Sequence, residues 1–94
     1  MAAPQFDSID STGTDTSTPK TASTGRMAVQ IHNTAGFTGH LEGTLGGDKW
    51  SPTGDVFSED RVYECNMGGP GNVRVVADGG TCDVLIVPEL FGKS

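Results

Sequence analysis

The sequence predicts an all-β fold: a small β-sandwich or jelly-roll-like domain with an extended N-terminal arm. No stretch of ten residues has the apolar spacing of an amphipathic helix. Short segments in which apolar and polar residues alternate recur from residue 26 onwards, and glycine-rich turns separate them. The first 25 residues are instead rich in Ser, Thr, Pro, Gly and Asp, which favour extended and turn conformations.

Residues 1–25 form the predicted arm, and residues 26–94 form the predicted β-sandwich domain. Residues 11–25 contain no Leu, Ile, Val, Phe, Met, Tyr or Trp, so this segment can bury little apolar surface. In the isolated chain, this composition predicts a disordered tail. Phe6 and Ile9 are then the side chains through which the arm would anchor on a partner.

The residues after the arm predict a β-hairpin. Apolar residues alternate with polar ones in residues 27–33 and again in residues 37–45, which indicates two half-buried strands. The three-residue loop 34–36 fits between them, because it ends in a glycine that can adopt the left-handed conformation. In this register Val29 would face Leu41 across the pair.

The middle of the chain predicts shorter elements. A short strand is expected around Trp50, between two turns. A second strand is expected over residues 61–67, which include Tyr63. Residues 68–71 are Gly-Gly-Pro-Gly and must form a loop.

A second hairpin is predicted in the last third of the chain. Residues 72–77 and 81–88 both have strand character, and Asp78-Gly79 between them is a strong hairpin signal. With this turn, Arg74 would lie opposite Asp83 as a cross-strand ion pair worth at most about 1 kcal/mol.

The stretch Val84–Val87 is apolar on both faces, unlike a strand with one face in water. Either this strand is central in the sandwich, or its outer face contacts another subunit. Core burial is the commoner explanation, and a subunit contact is the alternative because the core is thin. In the second case the contact residues would be Leu85, Val87 and Val76.

The charge of the chain disfavours two classes of partner. The formal net charge is −6, and the six Lys and Arg residues do not cluster, so there is no basic footprint for nucleic acid. An anionic membrane would repel the chain, and no apolar run approaches the ~20 residues of a membrane span. The N-terminus lacks the features of a signal peptide, so we expect a soluble protein made in the cytosol.

No combination of residues predicts an enzyme, a metal site or a bound cofactor. His32 and His40 are the only histidines, and no third ligand lies at a suitable spacing. No serine lies in a nucleophile-elbow context, and acidic neighbours disfavour a thiolate at Cys65 and Cys82. The ending Gly92-Lys93-Ser94 lacks the upstream glycine and the helix of a phosphate-binding loop.

The two cysteines leave two alternatives open. In a reducing cytosol, Cys65 and Cys82 are expected to be small buried thiols. After release into an oxidising medium, they could instead form a disulfide. By the loop-entropy model, that bridge could add roughly 3 kcal/mol.

One pattern emerges once the strands are placed. The stretch FTGHLEGTLGGDKW is followed by Tyr63, by NVRVV and by a closing apolar strand. This layout resembles that of small β-sandwich proteins from the virions of tailed bacteriophages. There a strand of the form F/W-x-G-x-(V/L)-x-(L/I)-E-G leads to a Gly/Asp-rich turn and a Trp, and a Tyr-bearing strand, a Gly-rich loop and a V-R-V strand follow. The resemblance covers roughly Met27 to Val87, and the chain departs from it in its two cysteines and its long polar arm.

The resemblance implies a structural role in a virion. We expect a capsid decoration (cement) protein on the outer capsid surface, synthesised in the host cytoplasm, that binds the major capsid protein and stabilises the shell. Neighbouring copies of the protein are the second expected partner, with a trimer as one arrangement. The arm would then lie along capsomers or along these neighbours.

Two other functions remain as alternatives. One is a tail, neck or fibre component of the same virion, which the sequence does not separate from a head protein. The other is a carbohydrate-binding β-sandwich module, which would need exposed aromatic rings. Trp50 and Tyr63 are the candidates for such rings.

Overall fold

The structure is a computed structural model, and it describes residues 5–88. All regular structure in this range is β, which confirms the predicted fold class. The strands are β1 (Asp7–Asp10), β2 (Lys20–Ala22), β3 (Arg26–Thr44), β4 (Ser51–Phe57), β5 (Arg61–Asn66) and β6 (Gly71–Pro88). Within residues 5–88, no helix is long and apolar enough to cross a membrane.

Two long strands form the centre of the sheet. β3 has 19 residues and β6 has 18, and they pair antiparallel along almost their whole length. β1 and β2 pair with the other side of β6, while β4 and β5 pair with the other side of β3. Each edge of the sheet is therefore made of two short strands placed end to end.

Both long strands bend at the same place. A straight strand of 19 residues would span roughly 60 Å at about 3.3 Å per residue, but the molecule extends only 35 Å along its longest axis. The pairing of β3 with β6 shifts register between His32 and Gly39. Asn33, Gly36 and Gly80 have positive φ in this stretch, at 58°, 62° and 67°.

The bend divides the sheet into two layers. Layer 1 contains β1, β5 and the segments of β3 and β6 that pair with them, residues 26–32 and 81–88. Layer 2 contains β2, β4 and the remaining segments, residues 39–44 and 71–77. The layers face each other as a β-sandwich, which agrees with the sandwich predicted from the sequence.

Buried apolar side chains from both layers form one core. The cluster contains Ile9, Ala22, Met27, Val29, Ile31, Phe37, Leu41, Phe57, Cys65, Val73, Val75, Ala77, Cys82, Val84 and Ile86. Phe57 of layer 2 meets Tyr63 of layer 1 edge-on, with ring centroids 4.7 Å apart. Full burial of an aliphatic or aromatic side chain is worth about 1.5–3 kcal/mol, so this cluster is the main source of stability.

Both predicted hairpins are wrong. Residues 34–36 and Asp78-Gly79 do not join the two strands of a hairpin, because each lies within one continuous strand, at the bend of β3 or of β6. Val29 lies opposite Ile86, and not opposite Leu41. A left-handed residue can bulge and bend a strand as well as close a tight turn. Gly36 has the predicted left-handed conformation, but in the second stretch the left-handed residue is Gly80, and not Asp78 or Gly79.

The predicted ion pair of the second hairpin is wrong for the same reason. Asp83 lies opposite His32 of β3, while Arg74 lies opposite Glu42. The guanidinium of Arg74 donates to the Glu42 carboxylate over 2.8 Å, so the arginine has a different acidic partner.

The N-terminal segment takes part in the sheet. β1 pairs with residues 81–84 and β2 with residues 71–73, and Thr16 forms an isolated bridge with Val76. The disordered tail expected from composition is therefore not observed for residues 7–22. Sheet pairing uses backbone groups, which every non-proline residue has, so composition gave little indication of it.

The same segment also contributes to the core. Ile9 is 1% exposed and Ala22 is 0% exposed. The Ser17 hydroxyl accepts a hydrogen bond from the Val75 backbone amide at 2.9 Å. The proposed role of Ile9 as an anchor on a partner is therefore corrected, because its side chain is buried in its own protein.

Candidate functional site

The outer face of layer 1 carries a cluster of apolar side chains. Along β6, Val84 and Ile86 point into the core, so Leu85 and Val87 point outwards and are half-buried. The strand register places Leu85 next to Gln30 and Val87 next to Ala28 on β3.

Two exposed residues extend this cluster to both edges of layer 1. Val62 of β5 lies opposite Gln30 and is 59% exposed. Phe6 directly precedes β1, is 37% exposed, and its ring lies 6.0 Å from the imidazole of His32 on the same outer face. We call Phe6, Ala28, Val62, Leu85 and Val87 the apolar face.

The structure brings together three of the five residues that the sequence suggested for partner binding. Phe6, Leu85 and Val87 all lie on the apolar face. Val76 lies on the outer face of layer 2, between Thr16 and His40, because the predicted hairpin register was wrong. Ala28 and Val62 were missed, although the alternation of Val62 with the inward Tyr63 could have indicated an outward side chain.

Carboxylates border the apolar face. Asp83 accepts a hydrogen bond from the Ser8 hydroxyl at 2.8 Å. Asp60 lies 3.7 Å from the His32 imidazole. Glu64 lies 3.6 Å from the Arg26 guanidinium, which is a long contact between two exposed groups.

The outer face of layer 2 carries a chain of paired polar groups. The Arg74 guanidinium lies 4.2 Å from the centre of the Trp50 ring and donates twice to one carboxylate oxygen of Glu42, at 2.8 and 2.9 Å. The other oxygen of Glu42 lies 3.1 Å from Nε2 of His40, and Nδ1 of His40 lies 2.7 Å from Asp78. We call these five residues the polar chain.

Protonated His40 best satisfies the polar chain, because both of its ring nitrogens face carboxylates. Partial burial lowers the pKa of His40, but hydrogen bonds and charge from Asp78 and Glu42 outweigh it, so the pKa is raised. Burial likewise raises the pKa of Glu42, but Arg74 and His40 outweigh it and the pKa is lowered. With both nitrogens occupied, His40 is poorly placed to act as a general base.

The polar chain predicts that stability decreases as the pH rises above neutrality. The pKa of folded His40 is raised above 6.5, so its contribution is complete below about pH 6.5 and is lost as the pH rises through the folded-state pKa. We expect the unfolding free energies of wild type and His40→Gln to converge between about pH 5.5 and about pH 8.5. Urea unfolding at both pH values measures this. His32→Gln is the control, and an equal convergence there would contradict the assignment to His40.

The two aromatic rings suggested for carbohydrate binding are each partly covered by other side chains of the protein. The Tyr63 ring has the Arg61 guanidinium over one face, 4.5 Å from its centre, and the edge of Phe57 against it. The Trp50 ring is half-buried and has Arg74 over one face. A sugar would have to displace these contacts or use the remaining face of Trp50.

A shallow depression of about 280 Å³ lies where β3 ends and β4 begins. It is lined by Gly43, Thr44, Leu45, Ser51, Pro52, Thr53 and Met67. Leu45 is 74% exposed at its rim. The lining contains no titratable side chain, so the depression offers shape and apolar contact without acid–base chemistry.

Both cysteines are free and buried, at 4% exposure for Cys65 and 2% for Cys82. The structure therefore agrees with the first alternative, two buried thiols, and the disulfide in an oxidising medium stays a prediction. Burial, reinforced by nearby carboxylates, raises the pKa of each thiol to about 12. In the part of the chain from residue 5 to residue 88, no group of three or more His, Cys, Asp or Glu residues could hold a metal ion.

Neither thiol is expected to react in the folded protein. A disulfide reagent such as DTNB attacks thiolates, and two buried thiols with high pKa values supply few. Labelling of Cys65 and Cys82 in buffer should be at least about a hundredfold slower than in denaturant, where both react. The denatured sample is the control for thiol content. A fast reaction with one native thiol would contradict its burial.

Comparisons with known proteins assign neither outer face. No family model matches the chain, and no curated protein or solved structure matches it.

Proposed function

We propose that this protein is a structural subunit of a tailed-bacteriophage virion. In this proposal it is a capsid decoration protein that binds the major capsid protein on the outer surface of the shell. The observation that best supports the proposal is the apolar face, because a group of outward-facing apolar side chains, of which Phe6 and Val62 are exposed, is typical of a protein interaction site. The resemblance of residues 27–87 to small virion β-sandwich proteins suggests the class of partner.

Binding alone would be enough to stabilise a shell. A protein that binds the assembled shell, and not its dissociated subunits, shifts the equilibrium towards assembly by mass action. A docking face built on paired strands loses little conformational entropy on binding. We therefore favour attachment through a sheet face over attachment through residues 7–22, whose backbone groups already pair with β6.

Of the two alternatives, the carbohydrate-binding module has less support. Its candidate rings, Tyr63 and Trp50, are already packed against Arg61 and Arg74. A tail, neck or fibre component would use the apolar face in the same way as a capsid protein. Antibody labelling of intact virions would distinguish these locations.

The direct test is binding to empty shells assembled from the major capsid protein that the same genome encodes. We expect saturable co-sedimentation of the protein with shells and a higher temperature of shell disruption when the protein is bound. Unassembled capsid protein is the control, and it should bind more weakly. Failure of the protein to co-sediment at any concentration would contradict the proposed function.

A further inference from the structure

We infer that the apolar face docks on a basic protein surface of the shell, and not on a second copy of this chain. The inference rests on the proposed function and adds two points: which face is the contact, and what chemistry its partner has. The experiment can show that the apolar face is not the contact even where the proposed function is correct.

The arrangement of side chains favours layer 1 over layer 2. On layer 1, the outward residues Leu85 and Val62 flank Gln30, and Val87 lies next to Ala28. These residues span three adjacent strands, with charged Glu64 of β5 opposite Ala28 at their border. On layer 2, Val56 and Val76 also face outwards, but they lie on either side of His40, and the charged groups of the polar chain there are already paired with one another.

The apolar face is also preformed. Its strands lie over buried Val29, Val84 and Ile86, which fix the backbone beneath it. Half-buried Leu85 and Val87 are held by their strand neighbours, so docking immobilises few side chains. A partner therefore meets a rigid apolar surface, and the shape of this surface does not depend on binding.

The charges at the border determine the partner's chemistry. Four carboxylates lie around the apolar face: Asp10, Asp60, Asp83 and Glu64. Arg26 pairs with Glu64, Asp60 accepts hydrogen bonds from two backbone amides, and the nearby Arg61 guanidinium lies over the Tyr63 ring. Asp83 has only the Ser8 hydroxyl as its side-chain hydrogen-bond partner on this face. Carboxylates of this kind fit a partner whose apolar cluster is flanked by Lys or Arg.

A second copy would present the same carboxylates. Two apolar faces in contact would place Asp83 and its acidic neighbours against their equivalents, and each chain has a formal net charge of −6. Like charges across an interface are unfavourable and act against self-pairing. The carboxylates around the apolar face therefore favour a basic partner over a second copy of this chain.

Two exposed valines provide a matched test of the face. Val62 is 59% exposed on β5 in layer 1, and Val56 is 72% exposed on β4 in layer 2. Val62→Asp is expected to weaken binding to the shells by about tenfold or more, because it places a charge on the contact. Val56→Asp should change binding by less than about twofold. Circular dichroism of both variants verifies that each is folded.

A second pair of variants tests the charge of the border. Asp83→Lys is expected to weaken shell binding by about tenfold, and raising the salt concentration should weaken wild-type binding. Asp48→Lys makes the same change in net charge at an exposed position in the loop between β3 and β4, and it should have little effect. Equal effects of the two substitutions would overturn the inference about the partner's charge.

The outcomes distinguish an error in the proposed function from an error in the choice of the apolar face as the contact. If wild type does not bind shells, the proposed function fails. If wild type binds and Val62→Asp binds equally well, the function stands and the apolar face is wrong. Sedimentation velocity of the free protein completes the test, because a dimer that Val62→Asp dissociates would identify a second copy as the partner and overturn the inference.

Discussion

Replacing Ile9 with alanine is expected to lower the free energy of unfolding by about 2–5 kcal/mol. Ile9 is 1% exposed, and its strand pairs with β6, so the substitution would leave a cavity in the shared core. Urea unfolding followed by circular dichroism measures the loss. This effect would be a large part of the 5–15 kcal/mol that is usual for a small domain.

Val56→Ala is the matched control for this substitution. Val56 is also an aliphatic β-strand residue, but it is 72% exposed, so the cost should be about 1 kcal/mol or less. A similar small cost for Ile9→Ala would mean that the N-terminal segment is not held in the core in solution. Deleting residues 1–24 extends the test, because it removes β1 and β2 and leaves one edge of β6 unpaired.

Replacing Gly80 with alanine is expected to destabilise the protein by roughly 3 kcal/mol or more. A Cβ atom at this position would lie 2.3 Å from the backbone oxygen of Gly36 and 2.4 Å from that of Ala35. Both oxygens belong to the bent part of β3, so they cannot move without changing the bend. The positive φ of Gly80, 67°, adds a conformational cost. Thermal unfolding measures the effect.

Gly36→Ala separates these two causes. Gly36 has nearly the same φ, 62°, but no heavy atom lies within 4 Å of its Cβ position. It should therefore cost only the left-handed strain, about 1–2 kcal/mol. If both variants lose the same stability, the close approach of β3 and β6 at the bend is not important, and only the backbone conformation is.

The strand faces could be predicted from the sequence, because alternation follows from the two-residue period of a strand. Met27, Val29 and Ile31 were assigned to one face and all are buried. Leu85 and Val87 were assigned to an outer face, and they lie there. Each of these predictions depends only on neighbouring residues, and so it does not require knowledge of the pairing partner.

The pairing partners could not be predicted in this way. Gly36 and Gly80 adopt the left-handed conformation in a bend as they would in a hairpin, so local turn chemistry does not separate the two. The pairing of β3 with β6 decides whether these glycines bend a strand or close a hairpin. This pairing depends on the whole chain. The polar chain was missed for the same reason, since Arg74 meets Glu42 only in the observed register.

The predicted disorder of the N-terminal segment was wrong because amino-acid composition describes side chains and not backbone hydrogen bonds. Its role depends on backbone hydrogen bonds to β6 and on two small contributions to the core, Ile9 and Ala22. Two well-placed apolar residues in 25 are too few to raise the average hydrophobicity. They are enough to fix a segment that adds strands to an existing sheet.

Because β6 lies at the centre of the sheet, the order in which the strands are synthesised differs from the order in which they can pair. β1, β2 and β3 are made first, but each of them pairs with β6, the last strand of the described residues. Met27 meets Pro88 and Asp7 meets Val84, so a nascent chain that ends before residue 71 lacks these partners altogether. β1 and β2 have β6 as their only strand partner among the described residues, so they cannot pair before β6 is made, and the chain segments that separate them from it are long.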